Sequence, residues 1–181
     1  MVTSLAVLLL GFPVFAQDNV NPQAAAILDF EKRIDDYVNL TKRLSKGIPV
    51  NEPTDQPHLI LERQHELARK LREARKDVKQ GAIFTPDIAK EFRRLLGIAM
   101  AAQKNNADIQ KSLARAEPVR LLVRINEPYP PEVPLQSTPP TILLNLPRLP
   151  QQLEYRIAGH ALVLRDTVAN LVVDLIPDAI P

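Results

Sequence analysis

Nine of the chain's 17 prolines fall in the 33 residues from Pro118 to Pro150, and that cluster divides what can be helical from what cannot. Proline fixes φ and carries no N–H, so a long helix cannot pass through such a stretch. Long helices are confined to the residues before Pro118, and the rest must be built from turns, extended chain and short strands. The motifs Pro128-x-x-Pro131, Pro131-x-x-Pro134 and Pro147-x-x-Pro150 stiffen the crossing from Glu127 to Pro150 between the two parts. Within it, Pro139 to Leu146 has the pattern of one short helix capped by Thr138.

Before the cluster, apolar residues recur at helical spacing. Ile27, Phe30, Ile34, Tyr37, Val38 and Leu44 predict a helix over 22–46, with Asn21 as cap, Pro22 in the first turn, and Gly47 and Pro49 as the stop. Ile60, Leu67, Leu71, Ala74 and Val78 predict a second over 57–80, ended by Gly81. Thr85-Pro86-Asp87 opens a third, carried by Ile88, Phe92, Leu95, Leu96 and Ala99 over 86–115, as one helix or as two pieces divided near Asn105-Asn106. Short connections make these helices antiparallel neighbours.

After the cluster begins, alternation takes over. Val119, Leu121, Val123 and Ile125 alternate with Arg120, Leu122 and Arg124, the period of a half-buried strand. Leu153, Tyr155 and Ile157 alternate with Glu154 and Arg156, a turn fits Gly159-His160, and Leu162 and Leu164 alternate with Val163 and Arg165. The segment Leu171 to Ile176 fits a strand, but Val168, Leu171, Val172, Leu175 and Ile176 also make a helical stripe.

The segments 81–97 (GAIFTPDIAKEFRRLLG) and 124–181 resemble a family of exported bacterial proteins of uncharacterised activity, over most of the mature chain. The runs Tyr155-Arg156-Ile157-Ala158-Gly159, Leu162 to Asp166 and Leu171-Val172-Val173-Asp174 are similar in rhythm to the C-terminal hairpins of a periplasmic nickel/cobalt-homeostasis family. That similarity implies a third strand after Asn170. The chain departs from the pattern at Ala169-Asn170, which stands where the family has Thr-Gly, and it lacks the aromatic next to Arg156.

Ser4 to Ala16 (SLAVLLLGFPVFA) is an uncharged apolar run ending in Val14-Phe15-Ala16, with small residues placed for cleavage before Gln17. It reads as a signal peptide over 1–16, although Met1 to Ser4 supply no Lys or Arg. A permanent anchor needs about 20 apolar residues, more than this run offers. The expectation is a periplasmic or secreted protein with no transmembrane segment after cleavage. Zero cysteines exclude disulfides, thiolate metal sites and thiol nucleophiles. A net charge of +2 and 4% aromatic residues with no Trp give no reason to expect nucleic acid or a stacking platform.

Three side-chain groups carry candidate chemistry. His58, Glu62 and His65 sit at spacings of four and three, so two imidazoles and a carboxylate share a helix face that suits Zn, Ni or Co. The competing reading is a solvated face with His58 in the first turn. Arg69, Lys70, Arg72, Arg75, Lys76 and Lys79, with Arg93 and Arg94, suit an anionic partner, but Glu66 and Glu73 offer ordinary pairing within the helix. Arg120, Arg124, Arg156 and Arg165 would stand on the polar face of the sheet and outnumber Glu154 and Asp174; cross-strand pairing with those carboxylates is the plainer reading.

No nucleophile elbow, phosphate loop, dinucleotide fingerprint or metalloprotease motif is present, and the adjacent pair Asp35-Asp36 points apart on a helix. No cofactor is expected. The sequence therefore describes an α+β chain: antiparallel helices, three or four, over 17–117, then a proline-rich crossing and small antiparallel sheet over 118–181 packed on them. Its expected function is noncatalytic binding of an envelope protein or an anionic envelope component, without nucleic acid. The alternative is periplasmic metal handling through His58, Glu62 and His65.

Overall fold

The computed structural model describes residues 21–50, 52–102, 123–131 and 144–180. Three helices, α1 (Pro22–Leu44), α2 (Pro57–Ala74) and α3 (Pro86–Ala101), precede a three-stranded antiparallel sheet in the order β1 (Leu153–Ala158), β2 (Ala161–Asp166) and β3 (Leu171–Ile176). The fold is α+β. The signal segment, Arg120, the continuation of the third helix beyond 102 and most of the expected short helix at 139–146 lie outside the described residues.

The helices form where apolar spacing and a proline at the first position coincide. Asn21 caps α1 by accepting from the Gln23 N–H at 3.0 Å. Thr85 occupies the cap position of α3 without a side-chain cap bond, and the Ala89 N–H bonds instead to its carbonyl. On α1, Phe30, Ile34 and Tyr37 are buried as their spacing predicts; on α3, Ile88, Phe92, Leu96 and Ala99 are. α2 departs from expectation at both ends. Ile60 and Ala74 are exposed, and the helix stops at Ala74 rather than near Gln80. Arg75 leaves helical geometry (φ −115°, ψ 15°) because its side chain turns inward and its carbonyl accepts from Asn126 Nδ2 at 2.8 Å.

One apolar cluster joins both layers. Phe30 lies 4.8 Å from Phe92 and 5.8 Å from Phe84 between ring centroids, and Tyr155 of β1 closes on the same rings. Leu153, Ile157, Leu162, Leu164, Leu171, Val173 and Ile176 present the sheet's side of it. A smaller cluster on the opposite sheet face contains Tyr129, Ala158, Val163, Val172 and Leu175.

The third segment of the tail is a strand, β3, as the hairpin rhythm implies. Its turn works without glycine because Asn170 takes the left-handed conformation (φ 49°), which asparagine tolerates better than most residues. The expected strand over 119–125 is corrected in its described part. Val123 and Arg124 are irregular and Ile125-Asn126 form a turn, with Asn126 at φ 60°. From there the chain straps along β3: the Asn126 N–H donates to Val172 O at 2.8 Å, Glu127 O accepts from the Val172 N–H at 2.9 Å, and Pro128 bridges Leu171. Pro128 has no N–H to extend the ladder.

Two glycines give opposite expectations. Gly47, in the turn after α1, sits at φ 81° with open space where a Cβ would be, so Gly47→Ala meets no clash and its cost is conformational, about 1 kcal/mol. Gly97 lies mid-helix on the exposed side of α3, also with open space, so Gly97→Ala gains about 0.5–1 kcal/mol. Urea denaturation midpoints of the two variants check the signs.

Candidate functional site

The seam between helices and sheet is polar at its centre. β2 and β3 pair Leu164 with Asp174 but Arg165 with Val172, so Val173 is an extra residue, a β-bulge. Strict alternation would put Asp174 on the outer face beside Glu154, as the sequence pattern predicts. The bulge instead turns both Val173 and Asp174 toward the helices, and Asp174 is wholly buried. Its carboxylate accepts from the N–H groups of Gly81 (2.9 Å), Ile83 (2.8 Å), Phe84 (2.8 Å) and Leu175 (2.9 Å). Gly81, at φ 87°, lets the loop after α2 turn three of those donors onto one side chain.

Beside it, Asp166 at the end of β2 accepts from the Tyr37 hydroxyl (2.8 Å) and from the N–H groups of Val168 and Ala169. Arg75 supplies the cation. It is 4% exposed, stacks 5.0 Å over the Tyr37 ring, and donates Nη2 to Val173 O at 2.7 Å; among the described residues its Nε has no partner. Arg75 is therefore no surface residue of a basic face, which corrects its assignment with Arg69, Arg72 and Lys76. Leu67, Leu71 and Arg75 lie four apart, so the helical stripe already carried the signal.

Burial pushes the Tyr37 hydroxyl well above its ordinary value, and the Asp166 charge adds to this. Burial also pulls the Arg75 guanidinium down, against the neighbouring Tyr37, Asp174 and Asp166. For Asp166, burial pushes the carboxyl up and outweighs the hydrogen bonds of Ala169, Tyr37 and Val168.

The sheet's outer face follows the pairing alternative. Glu154 accepts from Arg156 Nη2 at 2.6 Å and Arg165 Nη1 at 2.8 Å. Burial raises the Glu154 carboxyl, but these two cations outweigh it and hold it below the usual range. Arg165 also donates to Asn170 and stacks 5.2 Å from Tyr129. Arg124 is exposed and away from this group's bonds.

His58, Glu62 and His65 are all exposed on α2, and among the described residues no group of three or more His, Asp or Glu is placed to hold a metal. The remaining basic residues border openings. A groove of about 620 Å³ is lined by Arg69, Arg72, Glu73, Lys76, Val78 and the 125–127 turn. Arg72 faces Glu127 at 3.7 Å and Lys76 faces Glu73 at 3.4 Å; Lys70 pairs with Glu66 along the helix. Arg93 donates to Pro177 O, and Arg94 pairs with Glu91 beside a void of about 790 Å³ between the first turns of α1 and α3. A smaller cleft, about 300 Å³, lies between α1 and the loop after α2. No helix among the described residues is long and apolar enough to cross a membrane. Comparison with protein-family models, curated proteins and solved structures yields no match.

Two outcomes are expected. Asp174→Ala strands three loop N–H groups at once and costs about 3 kcal/mol or more in urea denaturation. Because the folded value of Asp166 is raised, the folded state keeps a proton the unfolded chain releases; this contribution is full below the unfolded value of about 3.9 and is lost as pH rises through the folded value. Asp166→Asn should therefore flatten the fall in stability above about pH 4, read from denaturation midpoints at stepped pH. An unchanged slope would show that the carboxyl is not the titrating group.

Proposed function

We propose that the protein is exported and works outside the cytoplasm as a noncatalytic binding protein for an anionic envelope component. The groove beside α2 is the observation that carries the reading. Arg69 and Arg72 lie three apart on α2 and Lys76 follows just past its end, and all three line the groove together with Val78 and Ile125. The carboxylates opposite them, Glu73 and Glu127, are at least half exposed, and such pairs contribute only about 0–1 kcal/mol each. A partner's acidic groups can take these cations over at little cost. The buried charges support the same view from the other side, since Asp166, Asp174 and Arg75 are engaged in contacts that hold the layers together. The run Ser4–Ala16 supports export.

The test uses poly-L-glutamate as an acidic polymer probe. Binding should weaken by about tenfold between 50 and 300 mM NaCl and be lost in Arg69→Glu/Lys76→Glu, with the melting temperature unchanged. Salt-independent binding, or binding retained in the double variant, contradicts the groove assignment. A cell fraction in which the protein stays cytoplasmic with residues 1–16 attached contradicts export.

A further inference from the structure

We propose that the cleft between α1 and the loop after α2 is a second site, which binds a small carboxylate carrying a short apolar chain. It goes beyond the acidic-polymer groove, with which it shares one lining residue, Val78. Its volume of about 300 Å³ is at the lower end of small-molecule sites.

The sequence of α1 builds one wall. Arg33, Asp36, Leu40 and Arg43 recur at spacings of three and four, so all face the cleft from one side of the helix. Arg33 is held in place by Asp29, which accepts from its Nε at 3.0 Å, and by Ala82 O, which accepts from Nη1 at 2.8 Å. Arg43 is exposed at the opposite end. Arg75, largely buried, also lines the cleft. Three guanidiniums thus line the cleft against one carboxylate, Asp36.

The acids behind Arg75 do not saturate it by hydrogen bonding. Asp174 is occupied by four N–H donors, and Asp166 by Tyr37 and two more. Among the described residues Arg75 makes no hydrogen bond to either carboxylate, and its cationic charge adds to those of Arg33 and Arg43 at the cleft. Planar guanidinium forks match the planar, two-oxygen geometry of a carboxylate. Leu40 and Val78 provide apolar surface that a bare inorganic anion would leave unused. The cleft therefore selects an alkyl carboxylate.

Octanoate is the probe, titrated into the full chain while the methyl resonances of Leu40 and Val78 are followed by NMR. The expected result is saturable movement of both, at least tenfold weaker binding in Arg43→Glu and about threefold weaker in Arg43→Gln, with melting temperatures near wild type because Arg43 is exposed. Inorganic phosphate should not compete at equal concentration. Arg69→Glu/Lys76→Glu should bind octanoate within twofold of wild type, so failure of the polymer groove and failure of this cleft are separable. No saturable movement, unchanged affinity in both Arg43 variants, or equal competition by phosphate would each overturn the proposal.

Discussion

The placement of a single carboxylate governs how the two layers meet. Asp174 lies in a strand whose other residues are apolar, and it is turned inward by one extra residue, Val173, in the pairing with β2. Burying a charge is costly unless hydrogen bonds replace the lost water. Here the loop after α2 supplies three of those bonds from its backbone, and Leu175 supplies a fourth. The arrangement satisfies both parties: loop N–H groups at the core would otherwise lack acceptors, and the carboxylate would lack donors.

The surrounding contacts depend on that placement. Because Val173 bulges, its carbonyl is available to Arg75, which the early end of α2 delivers to the core. Arg75 in turn lies over Tyr37, and Tyr37 reaches Asp166 on the neighbouring strand. Asn126 holds the Arg75 carbonyl and also bonds β3 through its N–H, so the strap at 125–129 is tied to the same point. Polar groups at a buried seam do less for net stability than for selecting one arrangement of layers, since any slip in register leaves several of them unpaired. The aromatic group of Phe30, Phe84, Phe92 and Tyr155 supplies apolar burial beside it.

The helices were legible because apolar spacing and a proline at the first position agree at each, while the end of α2 was not, since Arg75 leaves the helix ahead of the Gly81 stop. β1 was legible because apolar and polar residues alternate from Leu153 to Ile157, and β2, although Leu162, Val163 and Leu164 run together, because a turn at Gly159-His160 precedes it. β3 was ambiguous for a physical reason, since it is buried on both faces and an apolar run without alternation fits either helix or strand. The bulge has no sequence signature, so Asp174 was assigned to the wrong face; the plainer expectation for the outer face, arginines paired with a carboxylate, holds through Glu154. Glu154 stands directly opposite Arg165 in the β1–β2 register and two residues before Arg156 on the same face of β1, so one carboxylate serves both. Arg75 was misplaced because a run of basic residues was read as one face, whereas its spacing of four from Leu71 and eight from Leu67 continues the buried stripe of α2.

Amide hydrogen exchange at Gly81, Ile83 and Phe84 tests the central role of Asp174 most directly. If their bonds to the carboxylate hold the layers together, these loop amides exchange only through global unfolding, with the same protection as the β2 amide of Leu164. Rapid exchange of the three while Leu164 stays protected would mean that the loop opens on its own and the layers are joined by apolar packing alone.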